Sequence, residues 1–168
     1  MEKMGLESQV RHLVKKGKDL EALYLIFNAM SLRQKTEWGI FSAEQVIHLY
    51  KGKHQGPKKA IKAAKDCLKE NFSEKSVLWA HMKGFSAKGL ADINNDEIPE
   101  IQAALAAASV ALNTNKDRLD KFPEVPSAVH ALNTDPTLKT VLIKKGLEII
   151  RPTSVQFILD LAKEEECL

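Results

Sequence analysis

The stretch from Pro99 to Leu112, Pro-Glu-Ile-Gln-Ala-Ala-Leu-Ala-Ala-Ala-Ser-Val-Ala-Leu, limits the folds open to this chain more than any other. Alanine is the best helix former, proline suits a first turn, and Asn95 or Asp96 upstream offers a side-chain oxygen to the free N–H groups there. The stretch is therefore predicted to be helical. At helical spacing Ile98, Ile101, Leu105, Ala108 and Leu112 share one side, while Ala103, Ala106 and Val110 share the opposite one. Glu100, Gln102 and Ser109 alone interrupt the apolar circumference, and a helix apolar all round has to be buried. Because alanine protrudes so little, neighbouring helices can close to the lower end of the usual ~8–10 Å interaxial range. The expected architecture is all-α: a compact bundle of roughly seven to nine helices around this post, in one domain spanning 1–168.

The rest of the chain supplies wrapping helices. Leu6, Val10, Leu13 and Val14 mark a short amphipathic helix ended at Lys15 to Lys18, and Asp19 opens a second with Leu20, Leu23, Tyr24, Phe27 and Met30 as its stripe, widened by Leu25 and Ile26. Ser31 to Trp38 reads as a short helix or a loop that Gly39 stops, after which Ser42 and Gln45 resemble a capping box for a helix through Tyr50. Pro57 opens a helix with Ala60, Ile61, Ala64 and Leu68 inward and lysines outward. From about Ser73 the stripe is Val77, Leu78, His81, Met82 and Phe85, with Gly84 and Gly89 as bends or ends. Thr114 with Asp117 starts a short helix to Phe122, a turn of helix follows from Ser127 to Leu132, and Asp135-Pro136 caps one bearing Leu138, Val141, Leu142 and Ile149. Pro152 interrupts it, and Thr153 or Ser154 caps a last helix with Val155, Ile158, Leu161 and Ala162 inside. No alternating run bounded by turns points to a sheet. The tetrapeptide Ala-Leu-Asn-Thr occurs at both Ala111 to Thr114 and Ala131 to Thr134, either as repeated capping chemistry or as the remnant of a duplicated helix pair.

Composition excludes several classes. With 44% hydrophobic and 28% charged residues the chain is globular rather than disordered, and no apolar run approaches the ~20 residues of a bilayer crossing. The first residues carry acid and lack the apolar core of a signal peptide, so a cytosolic location is expected. Cys67 and Cys167 make no disulfide framework, and reduced thiols are the default. Net charge is +3, but its distribution is uneven. Lys51, Lys53, Lys58, Lys59, Lys62, Lys65 and Lys69 face a single Asp66, while acid collects at Asp92, Asp96, Glu97 and Glu100 and again at Asp160 and Glu164 to Glu166.

No catalytic constellation is visible. His12, His48, His54, His81 and His130 include no pair at metal spacing on a helix turn, so neither a metal site nor a cofactor is expected. His81 lies in an apolar stripe and reads as a core histidine with one hydrogen-bond partner; His54 lies in the basic loop, either solvated or touching phosphate. Cys67 reads as a small helix residue, or as a thiol of lowered pKa beside Lys65 and Lys69. Three consecutive carboxylates at Glu164 to Glu166 cannot converge as an acid–base pair and read as a solvated helix end.

Two resemblances bear on function. Gly56-Pro57-Lys58-Lys59-Ala60 entering a helix resembles the second half of a helix-hairpin-helix element over residues 44–69, which implies phosphate bound by backbone N–H groups and lysines. It is a degenerate copy: His54-Gln55-Gly56 stands where that motif has Gly-hydrophobic-Gly, and no aromatics interleave with the lysines to stack bases. The order Ala43-Glu44-Gln45-Val46-Ile47, then Gly56-Pro57-Lys58-Lys59-Ala60-Ile61-Lys62-Ala63-Ala64, then the alanine run, resembles the alanine-rich helical family of immunity proteins from bacterial toxin systems. That resemblance spans about Phe41 to Leu147 and implies a small bacterial or phage-encoded protein that binds and blocks another protein, with no catalytic residue. The expectation is a non-enzymatic binding protein using the basic surface of Lys53, His54, Lys58, Lys59, Lys62, Lys65 and Lys69, or the acidic patches, with Trp38 or Trp79 as an exposed anchor. A DNA-binding module is the alternative.

Overall fold

The computed structural model describes residues 5–52, 54–92 and 99–151. The chain runs α1 (Leu6–Lys15), α2 (Asp19–Asn28), α3 (Leu32–Val46), a 3-10 turn (Ile47–Leu49), α4 (Gly56–Lys69), α5 (Glu74–Asp92), α6 (Pro99–Leu112), α7 (Lys116–Lys121), α8 (Ser127–Thr134), a 3-10 turn (Pro136–Leu138) and α9 (Lys139–Ile150). Among the described residues there is no strand. The expected caps Asn95 and Asp96, Ile98, the acidic Glu97, Lys53, and the helix expected after Pro152 with its acidic end lie outside the described residues.

Helix α6 is the post that its composition predicts. Ile101, Ala103, Ala104 and every residue from Ala106 to Leu112 are buried, and α3, α4, α5 and α8 all pack on it. On the other side α9 packs on α3, α2 on α9 and α8, and α1 on α2, so that one apolar cluster reaches from Val10 to Leu147. Between α4 and α5 the chain reverses within four residues, with Asn71 and Phe72 in the left-handed region at φ 52° and 56° and the Phe72 N–H donating to the Cys67 carbonyl at 2.7 Å.

An alanine post accepts only close neighbours, and glycines supply the closest contacts. A Cβ added at Gly39 of α3 would lie 2.6 Å from Val110 Cγ2, and one at Gly84 of α5 would lie 2.7 Å from Leu112 Cγ. Gly146 of α9 likewise admits Ile26 and the Trp38 ring, which would stand 2.8 and 2.9 Å from such a Cβ. Gly39 therefore does not stop a helix; it sits in the middle of α3, which runs unbroken from Leu32 to Val46. The capping box belongs to Ser31 and Gln34 and not to Ser42 and Gln45: the Gln34 N–H donates to Ser31 Oγ at 3.3 Å, and the Ser31 N–H donates to Gln34 Oε1 at 2.9 Å. Ser42 is buried mid-helix and returns its hydroxyl to the Trp38 carbonyl at 2.7 Å. Trp38, expected as an exposed anchor, is 1% exposed and donates from Nε1 to the Leu142 carbonyl at 2.9 Å.

Two helices turn differently from their expected stripes. In α2 the buried set is Ala22, Leu23, Ile26 and Phe27, while Leu20 and Tyr24 face outward. Among the described residues of α5 the buried ones are Ser76, Ala80, Gly84 and Ala87, a small-residue line at steps of four, four and three. Leu78, Met82 and Phe85, read as its core stripe, point away from the post because α6 leaves no room for large side chains at that crossing. Both Ala-Leu-Asn-Thr copies stand at helix ends: Thr114 donates to the Ala111 carbonyl at 2.7 Å and Thr134 to the His130 carbonyl at 2.7 Å. Asn115, rather than Thr114, caps α7 by accepting the Arg118 N–H at 3.2 Å, and Asp135 caps the turn before α9 as expected.

The glycine contacts predict opposite outcomes for one substitution on one helix. Gly84→Ala should lower the free energy of unfolding by about 1–3 kcal/mol despite its gain in helix propensity, since Leu112 and its backbone N–H block the new methyl group. Gly89→Ala, with open space around it, should raise stability by roughly 0.5–1 kcal/mol. Urea denaturation of the two variants measures both signs.

Candidate binding face

Helix α4 is fixed by its own composition. Pro57 sits in the first turn, and Pro57, Ala60, Ile61, Ala63, Ala64 and Cys67 are buried against α5 and α6. With small residues inside, the long side chains are left outside: Lys58, Lys59, Lys62, Lys65 and Lys69 are all exposed along one face. Among the described residues only Lys65 of these pairs with a carboxylate, Glu44 of α3 at 2.9 Å, an exposed pair worth about 0–1 kcal/mol. His54 is exposed in the loop before α4, and Lys53 lies outside the described residues. Five of the seven residues expected to form the basic surface therefore share one helix face, with His54 at its N-terminal end.

Sequence patterning missed what stands beside that face. Between the start of α4 and the second half of α5 runs a groove of about 540 Å³ lined by His54, Gln55, Gly56 and Lys59 on one side and Lys83, Phe85, Ser86 and Gly89 on the other. The exposed side of α5, of which Phe85 lines the groove, forms an apolar and aromatic wall: Leu78 is 61% exposed, Met82 55%, Trp79 49% and Phe85 42%. Lys83 Nζ lies 4.3 Å from the centre of the Trp79 ring, which places a cation and an aromatic side by side. The signal that could have found this wall is the small-residue line Ser76, Ala80, Gly84 and Ala87, which competes with the larger stripe at equal helical spacing.

The far edge of α5 carries a half-buried charge network. Glu124 accepts from Arg118 of α7 at 2.6 Å and from Lys88 of α5 at 3.1 and 3.2 Å. Burial alone would raise its pKa, but these two cations and their hydrogen bonds hold it below the ordinary carboxylate value. Asn113, just past α6, clamps the same residue by accepting its N–H at 3.0 Å and donating to its carbonyl at 3.2 Å. The Arg118 guanidinium also lies 4.8 Å from the centre of the Phe85 ring, so Arg118 links α7 both to α5 and to the 122–126 loop.

The remaining candidates take structural places. His81 is not a core histidine with a partner: its ring meets Phe85 edge-on at 4.6 Å, and its Nδ1 has no hydrogen-bond partner among the described residues. Cys67 is buried, and burial raises its thiol pKa against the opposing hydrogen bonds of Ser76 and Thr114, so Lys65 and Lys69 do not activate it. His130 meets Gln102 Oε1 through Nδ1 at 2.9 Å, and burial holds its pKa down at about 4. Among the described residues no group of histidine, cysteine and carboxylate side chains could hold a metal ion, and no helix is long and apolar enough to cross a membrane. In the hairpin region the loop is tied to α6, where the Lys51 N–H donates to Glu100 Oε1 at 2.9 Å and Tyr50 packs on the Ile101 and Ala104 cluster, while no side chain caps α4. Of the acidic patches, Glu100 is thus occupied by the Lys51 N–H.

No family model, curated protein or solved structure matches this chain.

The neutral His130 fixes a pH dependence. Its folded pKa lies below the ordinary value of 6.5, so the unfolded chain binds the proton more readily, and the associated stability is present above pH 6.5 and lost as pH falls toward 4. The loss should reach at most about 3 kcal/mol across that window. His130→Gln should flatten the slope of unfolding free energy between pH 6.5 and 4.5, above the range where Glu124 takes up its proton. Urea titrations at stepped pH measure it.

Proposed function

We propose that this chain is a non-enzymatic, cytosolic binding protein that inhibits or neutralises a protein partner, as an immunity protein or a phage-encoded inhibitor of a host or defence protein does. The observation that carries this reading is the row Lys58, Lys59, Lys62 and Lys69. It is exposed, without carboxylate partners among the described residues, and mounted on a helix whose opposite face is buried. A rigid row of uncompensated charge accelerates encounter with an acidic surface and favours it over a basic one. The apolar and aromatic wall beside the row supports a protein rather than a polyphosphate as the occupant, since interfaces place aromatic anchors within a polar rim. The buried thiol of Cys67 agrees with a reducing compartment.

A DNA-binding module at residues 44–69 is the second reading, favoured by the first turn of α4, which no side chain caps and which opens beside His54, Lys58 and Lys59.

Affinity capture from the source cell, with nuclease treatment, separates the two. The protein-partner reading predicts one stoichiometric protein, released by salt, whose affinity falls at least about tenfold when Lys58, Lys59 and Lys62 are replaced by Glu. Recovery of nucleic acid alone, with a duplex affinity that collapses between low and moderate salt, would contradict it and favour the second reading.

A further inference from the structure

The exposed side of α5 is the feature that the lysine row does not explain. Leu78, Met82 and Phe85 follow one another at steps of four and three, and so form a continuous apolar ridge along two turns of the helix. Trp79 flanks the ridge beside Lys83, which lines the groove toward α4. Together these side chains leave on the order of a few hundred Å² of apolar surface in water, the size at which such a patch on a folded protein marks an interaction site. The ridge is braced from below and at one end: its underside is the glycine contact on Leu112, and Arg118 over the Phe85 ring and the Lys88 pair with Glu124 tie its end to the neighbouring segment.

We infer that this ridge seats an acidic amphipathic helix of the protein partner, with its apolar side chains across Leu78, Met82 and Phe85 and its carboxylates on Lys59, Lys62 and Lys83. The inference rests on the reading of the chain as a protein-binding module. Charge complementarity selects the occupant. Lys59 and Lys83 face each other across the groove that borders the ridge, and no carboxylate is among its described lining residues. The patch is smaller than the ~800 Å² per partner of a standard interface, which counts against a second copy of this chain as the occupant. A nucleic acid would match the lysines but would leave Leu78 and Met82 with nothing apolar to meet. An amphipathic helix satisfies both halves, since its anchors recur at the three- and four-residue steps of the ridge.

Four probes test it on the full chain: a conformationally constrained Leu/Glu amphipathic peptide, the same peptide with every Glu replaced by Lys, duplex DNA, and vesicles containing phosphatidylglycerol. Backbone amide shifts and the fluorescence of Trp79, with Trp79→Phe as the blank for buried Trp38, report the binding. The Leu/Glu peptide should bind with shifts confined to α4 and α5, at least roughly tenfold tighter than its Lys counterpart. Met82→Glu, at an exposed position and therefore expected to leave the thermal midpoint unchanged, should weaken it by about tenfold or more. Absence of binding, equal affinity for both peptides, shifts centred elsewhere, preference for DNA or vesicles, or self-association through the ridge in sedimentation would each overturn the inference. Failure of this site differs measurably from failure of the protein-binding reading. If a captured native partner binds Met82→Glu undiminished yet is lost with the lysine reversals, the ridge falls and the lysine face stands.

Discussion

The close approach of helices to α6 is the constraint on which everything else in this molecule depends. A post made of alanine offers its neighbours little to interlock with, so they must bring small residues of their own: Gly39 on α3, Gly84 on α5, and Ala60, Ala63 and Ala64 on α4. Dispersion attraction between backbones at short range then takes the place of large interdigitating side chains, and it falls off steeply with any separation. Ser127 adds a point of register, donating its hydroxyl to the Ala106 carbonyl at 2.6 Å. The large side chains gather where α6 is absent, around Trp38, Leu23, Ile26 and Leu142 between α2, α3 and α9.

The same constraint produces the surface. A helix that turns its small residues inward has to turn its large ones outward, and both helices of the candidate face obey this. On α4 the outward residues are lysines, whose charge keeps them solvated. On α5 they are Leu78, Trp79, Met82 and Phe85, which water does not favour. Basic and apolar strips thus lie side by side as a consequence of how the core is packed. Binding through that face would relieve the exposure that the core imposes. The half-buried network of Glu124, Arg118, Lys88 and Asn113 cross-links the edge of the face, which would reduce the ordering that a partner has to impose.

Much of this was legible from residues alone, and the exceptions share one cause. The alanine helix, the start of α4 at Pro57, the cap at Asp135 and the absence of strands among the described residues follow from propensity and capping. Gly39 read as a stop because glycine's weak helix propensity is visible in sequence, whereas the Val110 methyl group that requires it is not. Trp38 read as surface because the space it fills is created by Gly146, more than a hundred positions away. The orientation of α5 was inverted because a stripe of large apolar residues and a line of small ones are both periodic, and the choice between them depends on the size of the partner helix. The lysine positions were found correctly on one face, but the groove wall of Lys83 and Phe85 depends on how α4 and α5 lie together, which no single helix pattern encodes.

Native-state hydrogen exchange tests the central role of α6 most directly. If the alanine helix is the post on which the bundle is assembled, its buried amides from Ala106 to Leu112 should exchange only through global unfolding, with protection equal to the full stability of the chain. Exchange of those amides through a cheaper local opening, at lower protection than the amides of α1 or α9, would show that the bundle holds together without its centre and would contradict the account.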